Sequence, residues 1–369
     1  MIGLHVRIFA IWVYCVLVIP TADAAASAPQ SMNPDISVSM LSLYRQARRS
    51  GSSEAMPGSG ASLQEVELQL AADVDPYLRA STILSVHPED QPPASPTATE
   101  SMSAPPDQKY AIEPEEVFVE TTSLPGVIFK IGRFHPALGR HNTLHAHAFP
   151  FIDAPLINQR LLGADGYGDV GISAAVLLPL PWFSELTVQG LQGHSPDLFA
   201  AQGTSALAQV YRWRQLVELS DAATLDVGIS GGVGPNFYNG RTTVRGGDFS
   251  LKWRPSKGGK YHAFAWSGEY LQGAVDRRPD DSRLAGFATW MQVQVGERWW
   301  LQGRGEAVGA VAGGSGRQTK YSGLIGFIPT EFSGVRLQVD RWFDRQERAV
   351  NSLALQGVFS IGAHPSHSY

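Results

Sequence analysis

The chain has 369 residues, 43% of them hydrophobic and only 17% charged, with a net charge of −5. That balance disfavours a nucleic-acid partner, which needs a basic surface. A single cysteine, Cys15, excludes a disulfide framework and any cysteine-based metal box.

Residues 1–24 read as a Sec-type signal peptide. Met1 to Arg7 is weakly basic, and Ile8 to Ile19 is an apolar run ended by Pro20. A spanning helix needs about 20 apolar residues, so the run is too short to be one. Ala22-Asp23-Ala24 or Ala24-Ala25-Ala26 supplies a small-x-small cleavage site. Export across the inner membrane follows, with 25–34 as a short periplasmic N-terminal segment. No later stretch is apolar enough for a helical span. A membrane-spanning mature chain must therefore close its strands into a barrel, because lipid offers no partner to open backbone groups.

From residue 35 onward the sequence keeps a two-residue rhythm, which places successive side chains on opposite faces of a strand. Val66, Leu68 and Leu70 alternate with Glu65, Glu67 and Gln69; Val335, Leu337 and Val339 alternate with Arg336, Gln338 and Asp340. The pattern predicts strands over 35–44, 63–72, 77–86, 113–122, 126–134, 169–178, 183–193, 205–218, 222–232, 241–253, 260–272, 284–295, 299–309, 319–328, 334–343 and 351–362. Short Pro/Gly/Asp-type turns such as Asp73-Val74-Asp75-Pro76 and Ser123-Leu124-Pro125-Gly126 alternate with longer connections. Aromatic residues gather at strand ends, among them Trp182, Trp253, Trp299, Trp300, Phe332 and Trp342. The expected fold is all-β: a single antiparallel transmembrane β-barrel of about 16 strands over 35–369, with short periplasmic turns and long extracellular loops. The Ser/Pro-rich stretch Pro88 to Asp107 reads as a surface loop, since three strands before it are too few for a separate domain.

The polar strand face should line the lumen. It carries Arg79, Lys130, Arg212, Arg214, Lys252, Arg304 and Arg336, and also Glu67, Glu116 and Glu120. With both signs present, no ion selectivity is read from them. The longest connection, His135 to Gly168, is apolar and partly helical in pattern, so it should bury in the barrel mouth or lumen as a constriction. Its candidate constriction residues are His141, His145, His147 and Asp153. His141, His145 and His147 also form a candidate set for zinc, because neutral imidazoles are good ligands. The alternative is that these histidines only hydrogen-bond the loop to the wall. No other cofactor is expected.

Enzyme signatures are poor. His-Glu-x-x-His does not occur, and the run Gly228-Ile229-Ser230-Gly231-Gly232-Val233-Gly234, although it contains a Gly-x-Ser-x-Gly spacing, has strand pattern rather than a helix after it, unlike a nucleophile elbow. No catalytic residue is assigned.

Several segments resemble a group of Gram-negative outer-membrane proteins described as zinc-regulated TonB-dependent receptors, and more loosely the phosphate-selective porins. They include Lys130-Ile131-Gly132-Arg133-Phe134, Gly139-Arg140-His141-Asn142 through His145-Ala146-His147-Ala148-Phe149-Pro150-Phe151-Ile152-Asp153, and Leu251-Lys252-Trp253-Arg254-Pro255. The resemblance covers nearly all of 33–369. It implies an outer-membrane barrel inserted by the barrel-assembly machinery, in contact with outer-membrane lipid and small solutes, and trimeric as sixteen-stranded porins commonly are. A TonB-dependent receptor with about 22 strands and a plug needs more chain than this, which favours the porin half of the likeness. Ala154 departs from the pattern, where a basic residue is expected between Asp153 and Pro155. The leading expectation is a channel for passive passage of small solutes. The alternatives are a non-conducting receptor or zinc-binding barrel and, third, a barrel lipid hydrolase.

Overall fold

The computed structural model describes residues 34–56, 58–88, 110–195, 198–200, 207–255, 261–278, 283–310, 317–343 and 348–362. The signal peptide, the segment 25–33, the Ser/Pro-rich stretch after Pro88 and the C-terminal Tyr369 lie outside them. Sixteen strands follow in chain order: β1(Asp35–Arg49), β2(Gly60–Asp75), β3(Leu78–Pro88), β4(Tyr110–Thr121), β5(Val127–Phe134), β6(Asp169–Leu177), β7(Phe183–Leu191), β8(Ala208–Ser220), β9(Ala223–Pro235), β10(Arg241–Trp253), β11(Ala263–Val275), β12(Arg283–Gln294), β13(Trp299–Ala310), β14(Gln318–Thr330), β15(Ser333–Phe343) and β16(Ala349–Gly362). Among the described residues one α-helix, α1(Leu156–Leu162), lies between β5 and β6.

Each strand pairs antiparallel with its sequence neighbour, and β1 pairs with β16 from Ser37 opposite Gly362 to Arg49 opposite Val350. The sheet is therefore a closed barrel without edges, which satisfies every ladder group internally. The burial pattern is inverted relative to a water-soluble protein. Ile361 is 72% exposed, Ile131 62% and Tyr321 60%, whereas Gln338 and Gln356 are fully buried. Outward positions are apolar and inward positions polar along the same strands, as a lipid-facing barrel requires. Exposed Tyr77, Trp182, Trp253, Trp299 and Phe332 all sit at one rim, beside the connections 76–77, 178–182, 254–262, 295–298 and 331–332. They form an aromatic girdle of the kind that transmembrane barrels carry at the headgroup level.

All sixteen expected strands are present. β1 and β2 run further than their apolar alternation because they keep pairing out to Arg45 opposite Gly60. β11 starts at Ala263, so its connection from β10 is longer than the 236–240 connection on the opposite rim. Two bulges matter for the interior. Ile83 pairs with Glu116 and Leu84 with Pro114, leaving Glu115 as an extra residue in β4. Leu41 pairs with Glu65 and Ser42 with Leu63, leaving Gln64 extra in β2. A bulge breaks strict alternation and re-aims side chains, and Pro114, which cannot donate to a ladder, sits where such a break is tolerated.

Candidate functional site

The inner wall meets the His135–Gly168 connection. It enters at His135, whose backbone N–H donates to Glu116 Oε1 at 2.9 Å. The Ala137 amide donates to Gln189 and the Gly139 amide to Ser230 Oγ, both at 2.9 Å. One carboxylate on β11 then gathers three donors: Glu269 accepts from the Arg140 amide at 2.7 Å, the His141 amide at 2.8 Å and Asn158 Nδ2 at 2.8 Å. Gly139 is required beneath it. Its φ is +73°, and a Cβ there would stand 2.7 Å from Glu269 Oε1. Asn142 ties the two ends of the connection together, donating to the carbonyls of Pro136 and Tyr167 and accepting from the Tyr167 amide.

The middle of the connection reaches the walls on either side. Arg336 of β15 donates to the carbonyls of His147 and Phe149 at 3.0 and 2.7 Å. Gln338 accepts from the Ile152 amide and donates to Asp153. Asp153 also receives Arg304 Nη2 at 2.9 Å and the Lys320 ammonium, so its carboxylate sits between two wall cations. Burial alone would raise this carboxyl, but Arg304 and then Lys320 hold it well below the usual range. Neighbouring Ala154 is buried; the basic partners of Asp153 come from β13 and β14 rather than from the loop. Beyond it, Glu306 accepts from the Leu156 amide at 2.6 Å.

Apolar contacts complete the seat. Leu138, Ile157, Leu161 and Leu162 pack on inward Leu191, Val210, Val244, Leu271 and Val308. Phe151 and Ile152 pack on Leu43, Ala288, Trp290 and Leu324. These otherwise anomalous apolar residues on a polar wall are thus explained by the loop they receive. A small cavity of about 40 Å³ stays open between the loop and β10–β12, lined by Arg140, His141, Lys252, Trp290 and Gln292 among others.

The sequence-nominated wall residues lie on this inner side in differing company. Arg212 makes a two-pronged pair with Asp248, 2.8 Å on each arm, and Arg214 pairs with Asp226. Arg304 is buried against Asp153 and Glu306. Lys130 stands over the Phe118 ring and 3.9 Å from Glu120. Arg79 sits near the girdled rim with Asp73 and Asp35. Glu67 and Glu116 face the histidines.

Those histidines separate into two environments. His145 and His147 lie together, rings parallel with centroids 6.0 Å apart, and the His135 ring stacks against His145 at 5.2 Å. His145 Nδ1 is 2.9 Å from Glu115 and its Nε2 is 3.4 Å from Glu116, while His147 Nδ1 is 3.0 Å from Glu67. Burial opposes a charge on His145, but the hydrogen bonds to Glu115 and Glu116 raise its pKa well above the ordinary value. His141 is elsewhere. It lies against Phe149, its ring nitrogens buried without hydrogen-bond partners, and burial followed by Arg304 lowers its pKa to about 3. The structure therefore brings His145 and His147 together and leaves His141 outside, and it adds His135 and Glu115. Sequence alternation passed over Glu115 because it is the bulged residue; Pro114 inside a strand is the signal that marks the bulge.

No known family profile matches the chain. An uncharacterised protein of Aquifex aeolicus (strain VF5) is 26% identical over 306 residues, which is 69% of this chain; the chain spans 63% of that relative's length. Among solved structures, Salmonella typhi OmpF is similar with a TM-score of 0.58 at 10% identity, covering 89% of this chain and 97% of its own. The outer membrane channel DcaP of Acinetobacter baumannii gives 0.56 at 10% identity, covering 89% and 96%. Pseudomonas putida OprB gives 0.58 at 8% identity, covering 89% and 94%. At such identities the likeness is one of fold: a porin-like antiparallel barrel.

Proposed function

We propose that the chain is an outer-membrane channel for passive passage of small polar solutes, with a lumen narrowed by the 135–168 loop. The single observation that carries this reading is the loop's seat: it hydrogen-bonds to inward residues of β2, β4, β11, β13 and β15 while the barrel face outside remains apolar. A barrel with that exterior belongs in lipid, and the signal-like N-terminus fits Sec-dependent export to the outer membrane of a Gram-negative bacterium. In this reading the chain is not an enzyme, its wall charges orient and filter solutes, and the channel named among its structural neighbours supports passage rather than chemistry. A homotrimer inserted by the barrel-assembly machinery is the assembly in keeping with this fold; light scattering of the detergent-solubilised protein tests the copy number.

The decisive experiment is single-channel recording in planar bilayers on the refolded barrel and on a variant lacking residues 141–162. The expected result is a small conductance that rises when the loop is removed. A barrel that stays silent in both forms refutes the channel and leaves the non-conducting receptor.

A further inference from the structure

The bulge at Glu115 has a chemical consequence. It turns two adjacent carboxylates, Glu115 and Glu116, toward the same loop imidazole. His145 Nδ1 meets Glu115 at 2.9 Å, and Nε2 faces Glu116 Oε2 at 3.4 Å. Ligating atoms of Glu116, His135 and His145 all lie within 4.8 Å of one another. Nδ1 of His135 is buried and without a hydrogen-bond partner.

From this arrangement we propose that Glu116, His135 and His145 form a three-ligand site for a divalent transition-metal ion, which ties the loop to β4. The geometry suits one. Ligand atoms each about 2.1 Å from a tetrahedral zinc ion stand about 3.4 Å apart, the separation already present between His145 and Glu116. Glu115 occupies the other nitrogen of His145. A carboxylate in that place fixes the ring's tautomer and orientation so that the remaining nitrogen is offered to the metal. Glu116 is steadied in turn, because its Oε1 accepts the His135 backbone amide. Two imidazoles with one carboxylate select zinc, cobalt or nickel over calcium or magnesium, which prefer all-oxygen shells. Three protein ligands leave a fourth position for water or a passing solute. His147, paired with Glu67, lies beside this set rather than in it. The proposal rests on the loop's seat in the channel reading, but not on conduction.

The test uses the whole refolded barrel in detergent, stripped with chelator. Zinc is titrated by calorimetry and cobalt followed by visible absorption. The expected result is one ion per chain, with cobalt bands of low-coordinate nitrogen–oxygen ligation. His145→Ala, His135→Gln and Glu116→Gln each weaken binding at least tenfold, and Glu115→Gln weakens it about ten- to a hundredfold, the usual effect of losing the carboxylate that orients a ligating histidine. His262→Ala, at an exposed position on the opposite rim, leaves it unchanged. Heat-modifiable migration on gels certifies that each variant is a folded barrel. Absence of stoichiometric binding in the parent, or affinity that survives both His135→Gln and Glu116→Gln, overturns the site. Conductance is read on the same samples: a silent barrel that binds zinc sinks the channel and keeps the metal site, and a conducting one that ignores zinc does the opposite.

Discussion

Replacing Asp153 with alanine gives the sharpest test of how the loop is held. The carboxylate accepts from Arg304, Lys320 and Gln338, and its neighbour Leu156 is fixed by Glu306 in the next turn of chain. Removing one member of a buried ion pair costs about 3–5 kcal/mol, chiefly because the other charge is left without its partner. Here Arg304 keeps Glu306 at 3.1 Å and Lys320 keeps Asp340 at 3.6 Å. The loss thus falls at the lower end, about 3 kcal/mol, or about a hundredfold in the ratio of seated to released loop. Asp153→Asn keeps the acceptor but not the charge, and should cost about half as much. The assay pairs single-channel conductance with hydrogen exchange of residues 141–162. Asp153→Ala should raise mean conductance and its fluctuations and lower protection across that segment, while the barrel ladders stay protected. A folded Asp153→Ala barrel with parental conductance and parental loop protection refutes the idea that this cluster holds the loop.

Other substitutions probe separate parts of the same account. Gly139→Ala forces a side chain into a left-handed turn and against Glu269; it should release the loop's first half by about 2 kcal/mol, read as lost exchange protection at Arg140 and His141, and normal protection there would count against it. Acid should act through His141. Released into water its ring titrates near 6.5, whereas in the seat it is depressed to about 3. The released loop takes up the proton first, so docking is fully favoured above pH 6.5 and weakens as pH falls toward 3, by about 3 kcal/mol at pH 4. Conductance should climb over that range, and His141→Phe should flatten its own share of the climb; superimposable pH curves for the two proteins would rule His141 out. On the outer face, Val339→Arg places a charge among exposed apolar residues in mid-strand. It should destabilise the barrel in vesicles by about 2–4 kcal/mol, measured by urea titration, whereas a neutral result would mean that this face does not meet lipid.

The barrel was legible in the chain because alternation is local. Val335, Leu337 and Val339 declare one face of β15 and Gln338 and Asp340 the other without reference to any distant residue, and sixteen such segments with turns between them leave closure as the only way to pair every edge. The loop's length and apolar content likewise announced that it must bury. Its seat was not legible. Glu269 gathers Arg140, His141 and Asn158, and Asp153 finds Arg304 and Lys320, through contacts that span more than a hundred residues of sequence and exist only once the cylinder has closed. The histidines followed the same rule. Their spacing grouped His141 with His145 and His147, but the loop's two short turns at 141–143 and 146–148 send His141 against Phe149 and bring His135 back to His145. Glu115 reached them only through a bulge, where the period that exposes a strand to the reader is broken by the packing of its neighbour.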